Sequence, residues 1–83
     1  MSLDERIVRT HDLGLATALV SCGFTVKDIE QLVAGRAEFV FINTPELANT
    51  VNAYWANTLD VKARYFFDAI KMLKSRIYSR GQL

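Results

Sequence analysis

Residues suited to bond-making chemistry are scarce in this chain: one histidine, His11, one cysteine, Cys22, and nine acids spread over 83 positions. Nucleophilic catalysis needs a base held beside the nucleophile. His11 stands next to a predicted helix N-terminus, where the helix dipole disfavours an imidazolium, so it reads as a cap-adjacent surface residue. Cys22 falls near the end of that helix, away from the N-terminal or basic surroundings that lower a thiol pKa, and is expected to be a buried, structural thiol. One histidine and one cysteine among scattered carboxylates match no zinc or iron pattern. Gly14, Gly23, Gly35 and Gly81 are too far apart to build a phosphate-cradling loop. The sequence therefore predicts no catalytic residues, no metal ligands, no cofactor, and a protein that is not an enzyme.

Binding chemistry is better represented. Tyr54, Trp55, Tyr65, Phe66 and Phe67 place five of the nine aromatics within a short stretch, and such side chains stack on bases or anchor interfaces. Phe66 and Phe67 lie on or beside a helical core stripe, so core packing is expected of them, and of Tyr54 and Trp55 as well. Tyr65 groups on the helical wheel with Ala69, Met72 and Arg76, a composition that interfaces favour, and this flank is expected to meet a partner.

The net charge of +1 hides an asymmetry. Residues 1–59 carry four cations against seven acids, a net of −3, and residues 60–83 carry six against two, a net of +4. Arg64 with Asp68, and Asp68 with Lys71, have the spacing of ion pairs on an exposed helical ridge. Lys74, Arg76 and Arg80 are left to complement the helix C-terminus or to contact nucleic acid. Three phosphate contacts give a shallow salt dependence, so any such binding is expected to be weak.

One core must serve every element, because the chain has no room for a second and holds no repeat or linker; residues 1–83 are read as a single domain. With 51% hydrophobic and 23% charged residues, the composition is globular. A domain this small gains from burying surface on a copy of itself, so the chain itself is the expected partner, with another protein as the alternative. The unpaired cysteine favours a reducing cytoplasm, and Asp4 and Glu5 stand where a signal peptide would be basic. Apolar runs of four or five residues are far too short to cross a bilayer, so no membrane association is expected.

The elements follow from periodicity and caps. Arg6 to Arg9 suits an edge strand. Thr10 or Asp12 can cap a helix over about 11–22 with Leu13, Ala16, Leu19 and Val20 inward and Gly23 as its stop. Gly14 within it costs roughly 1 kcal/mol relative to Ala, so it is expected to allow another element to pack closely there. Phe24 to Ala34 is ambiguous: Thr25-x-x-Asp28 with Ile29, Leu32 and Val33 fits a capped helix, while Phe24 and Val26 alternate as in a strand. A strand through about Glu30, a turn near Ala34-Gly35-Arg36 and a strand over Glu38–Ile42 make the simplest hairpin. Thr44-Pro45-Glu46 is a strong helix start, opening a helix to about Asn57. The longest helix, about 61–78, has the stripe Ala63, Phe66, Ile70, Leu73 and Ile77, widened by Phe67.

Thr10-x-Asp12-Leu13-x-Leu15-Ala16-x-x-Leu19, Gly23-Phe24, Phe39-Val40-Phe41, Tyr54-Trp55 and Arg64-x-Phe66-Phe67-x-Ala69-x-x-x-Leu73-Lys74-x-Arg76-Ile77-Tyr78 together resemble a family of short bacterial and phage-associated domains of unknown function. The resemblance spans about residues 5–79 and implies a small α+β unit, with Phe24 to Glu30 as strand and no catalytic residues to transfer. The expected architecture is α+β: about three antiparallel strands and three helices in the order β-α-β-β-α-α, the helices on one face.

Overall fold

The computed structural model describes residues 6–31 and 36–81. Its elements are β1 (Ile7–Thr10), α1 (Leu13–Ser21), β2 (Val26–Gln31), β3 (Ala37–Ile42), α2 (Pro45–Trp55) and α3 (Ala63–Gly81), an α+β fold in the expected order. The sheet order is β1-β3-β2, with β3 antiparallel to both neighbours. The outer strands are therefore parallel to each other, and α1 carries the chain from one edge of the sheet to the other. The β2–β3 pairing is that of the predicted hairpin; Ala34 and Gly35 of its expected turn lie outside the described residues.

Alternation along β3 directs Phe39 and Phe41 to one face, opposite Thr10 and Val8 on β1 and Ile29 and Val26 on β2. A bulge between Val26 and Asp28 lets Val26 and Ile29, three apart in sequence, both point inward. Leu15, Ala16 and Leu19 of α1, Leu47 of α2 and Leu73 of α3 complete one buried cluster with them, so all three helices cover the same face. Val40 points the other way and is buried between its cross-strand partners Arg9 and Asp28. Arg9 bridges Glu30 at 3.2 Å and Glu38 at 3.1 Å on that open face.

Side chains define the helix ends. Asp12 caps α1, accepting from the Leu15 N–H at 3.0 Å, while Thr10 Oγ1 accepts from the Asp12 N–H. Thr44 caps α2 by accepting from Leu47 N–H at 3.1 Å, with Pro45 in the first turn. Both helices end in the same way. Gly23, at φ 100°, donates to Val20 O, and Phe24 donates to Leu19 O; Asn57, at φ 61°, donates to Tyr54 O, and Thr58 donates to Ala53 O. These paired bonds satisfy carbonyls that a helix end otherwise leaves open, and they require one residue in the left-handed region.

Three corrections concern what faces inward. On α3, Ala69 and Leu73 are the buried positions, Phe66, Ile70 and Ile77 are half-buried, and Ala63 is exposed. The interior thus follows a line rotated from the expected one, because α3 leans on α1 and β2 rather than lying square over the sheet. Phe67 and Trp55, both expected inside, are outside. Cys22, expected to be buried, is exposed because it lies at the C-cap of α1 where the chain turns away.

Candidate interaction surface

The C-terminal end of α2 and the connection to α3 stand over α1 and enclose a groove of about 380 Å³. Ala18 lies on α1, Tyr54 and Trp55 form one wall, and Leu59, Val61 and Phe66 form the other. Asn57 sets this geometry: its left-handed backbone ends α2 and sends the chain back toward α3. Tyr54 and Trp55 meet edge to face, with ring centroids 5.0 Å apart at 80°. Tyr54 is fixed in turn by Gly14, where an added Cβ would lie 2.6 Å from the phenol oxygen. The close approach foreseen at Gly14 is therefore that of α2. Burial, and secondarily the charge of Asp12, push the Tyr54 phenol above the ordinary tyrosine pKa.

Trp55 is 62% exposed on the rim of the groove. Three aromatics of α3 share that condition: Tyr65 at 56%, Phe67 at 57% and Tyr78 at 64%. Four of the nine aromatics are thus largely in water, all of them on the last two helices.

The flank expected to meet a partner is divided by the fold. Tyr65 and Arg76 are exposed, but Ala69 is buried and Met72 packs against the core. These two serve the interior because α3 turns this side toward α1. Tyr65 and Met72 border a second, shallower depression of about 390 Å³ with Val20 and Gly23 of α1 and its end. Lys74 and Arg76 are exposed on different sides of α3, since two residues along a helix is about 200° of rotation. The side chain of Arg80 lies outside the described residues.

Of the two ion pairs expected on the ridge, Arg64 and Asp68 approach to 3.8 Å, an exposed contact worth little in water. Lys71 does not reach Asp68; its Nζ lies 5.1 Å from the Phe67 ring centroid. Lys62 Nζ lies similarly, 5.6 Å from the Tyr65 ring. His11 Nδ1 donates to Ala37 O at 3.0 Å, a structural bond that ties the end of β1 to the start of the central strand β3. From the sequence, Leu59 belongs to a short connection, Asn57 to the end of α2 and Val61 to the start of the longest helix, and none of the three points to a site; the structure brings all three to the groove. Two apolar residues in so short a polar loop were the available signal.

A three-stranded antiparallel sheet, three helices on one face of it and a groove walled by aromatics define a small α+β domain with an apolar recess at the helix ends. Residues 5–79 match the family described as a domain of unknown function, DUF5659, and the chain belongs to that family. No curated protein and no solved structure matches it. Among the described residues no helix is long and apolar enough to cross a membrane.

Proposed function

We propose that this domain is a non-catalytic, self-associating binding module of the cytoplasm, in the bacterial and phage-associated setting its motifs resemble, and that its working surface is the groove beside Trp55. One observation carries this reading: the only tryptophan of the chain stands 62% exposed next to an apolar recess large enough to receive a side chain. A projecting indole and a recess on the same patch are self-complementary, as a two-fold interface requires, because each copy inserts into the other. Tryptophan is also the residue most enriched among interface anchors. A free monomer gains nothing from leaving so large an apolar group in water.

Sedimentation equilibrium over a range of concentrations tests it. The wild-type protein is expected as a dimer at micromolar concentration, and Trp55→Ala as a folded monomer. A monomeric wild type, or a Trp55→Ala variant that dimerises equally well, overturns the reading.

A further inference from the structure

We infer that the outward line of α3 formed by Phe67, Lys71, Lys74 and Tyr78 is a binding site for single-stranded nucleic acid. This goes beyond the self-association proposed above and uses different residues. The four positions are spaced i, i+4, i+7 and i+11, which aligns them along one side of the helix, and all four are exposed. Both aromatics on this line are more than half exposed, so the core does not account for them.

Charge decides what suits the line. Neither Lys71 nor Lys74 has an ion-pair partner among the described residues, and Arg64, one turn before Phe67, extends the positive surface with only an exposed contact to Asp68. A second copy of α3 laid antiparallel on this line, so that Phe67 meets Tyr78, would set Lys71 against Lys74, like charge on like. The occupant is therefore anionic. It must also offer flat apolar groups, since Phe67 and Tyr78 flank the lysines at a separation of about 16 Å along the axis. A single strand presents both, with phosphates for the lysines and unpaired bases to stack on the two rings. Duplex keeps its bases stacked inside. A membrane-surface helix separates its apolar and charged residues onto opposite faces, whereas here they share one line. The cations expected from sequence to act together are replaced in this site: Arg76 lies on another side of the helix, and Lys71 takes its place beside Lys74.

Fluorescence anisotropy with a short labelled single-stranded DNA of mixed sequence tests the site, against the duplex of the same length and with phosphatidylserine vesicles and polyglutamate as competitors. Single-strand binding is expected to exceed duplex binding. Two phosphate contacts set a log–log salt slope of about −1.4, a loss of about sevenfold between 50 and 200 mM salt. Lys71→Ala with Lys74→Ala should remove most of that slope. Phe67→Ala and Tyr78→Ala should each weaken binding by about 5- to 150-fold, the range of one stacked base. All four side chains are exposed, so the variants should melt like the wild type. Trp55→Ala should still bind the strand, which separates failure of this site from failure of the dimer. The inference is overturned by no binding at 50 mM salt, by equal affinity for duplex, by unchanged affinity of both aromatic variants, or by complete displacement by vesicles or polyglutamate at equal charge concentration.

Discussion

The interior between the sheet and α1 and the outward surface of α2 and α3 use the same kinds of side chain for opposite ends. Phe39 and Phe41 on β3 are fully enclosed, and with Leu19 and Ile29 they hold the sheet to the helices. Trp55, Tyr65, Phe67 and Tyr78 are as large or larger, yet stand mostly in water. Aromatic residues in this chain therefore mark two different things: those inside hold the fold together, and those outside are the ones proposed above to meet partners.

The contrast predicts its largest effect in thermal or denaturant unfolding. Phe39→Ala or Phe41→Ala should cost about 3–5 kcal/mol and leave little folded domain. Trp55→Ala and Phe67→Ala should stay within about 0.5 kcal/mol of wild type when both are measured as monomers. Equal losses on the two sides would break the comparison.

Asn57 and Gly14 sharpen it, because they fix the wall of the groove rather than the core. Asn57→Val should cost about 1–2 kcal/mol, since a β-branched residue resists the left-handed region, while Asn57→Gly should lose nothing. At Gly14, the added Cβ meets the Tyr54 oxygen, and that clash opposes the helix gain of about 1 kcal/mol expected on replacing glycine by alanine. Gly14→Ala should therefore be neutral or destabilising in the wild type and stabilising once Tyr54→Phe removes the oxygen. A double-mutant cycle reads this coupling directly.

Alkaline pH probes the same wall. The native Tyr54 phenol ionises above the ordinary value because it is packed against α1 near Asp12. The protonated form is thus favoured in the fold, the unfolded chain ionises first, and stability should fall as pH rises beyond about 10. Tyr54→Phe should flatten that loss in pH-dependent melts. The smallest effect belongs to Cys22. It is exposed and should be alkylated without unfolding, but partial burial pushes its thiol pKa up, so less thiolate forms and the reaction should run slower than with a free thiol at the same pH.

Local chemistry explains what could be read from the sequence. Thr44-Pro45 opened α2 where expected because a cap and a fixed φ act within one turn. The run of β-prone residues Phe39–Ile42 marked β3 for a similarly local reason. Residues Val26 to Ile29 resisted reading because the bulge places two inward residues three apart, a spacing that imitates a helix. Trp55 and Phe67 were misplaced because hydrophobic periodicity shows that a face is apolar without showing whether the fold has anything to lay against it. The apolar arc of α3 is wider than α1 and β2 can cover. The groove escaped notice since Leu59 and Val61 acquire meaning only when Asn57 folds the chain back.

Emission from the single tryptophan, followed from nanomolar to high micromolar protein, tests most directly whether Trp55 is an exposed anchor that a second copy covers. The indole should give a water-exposed spectrum at the lowest concentrations and shift to shorter wavelength as the protein associates. A spectrum already shifted at every dilution would place Trp55 inside the fold, and one that stays water-exposed at every concentration would leave it uncovered; either contradicts the account.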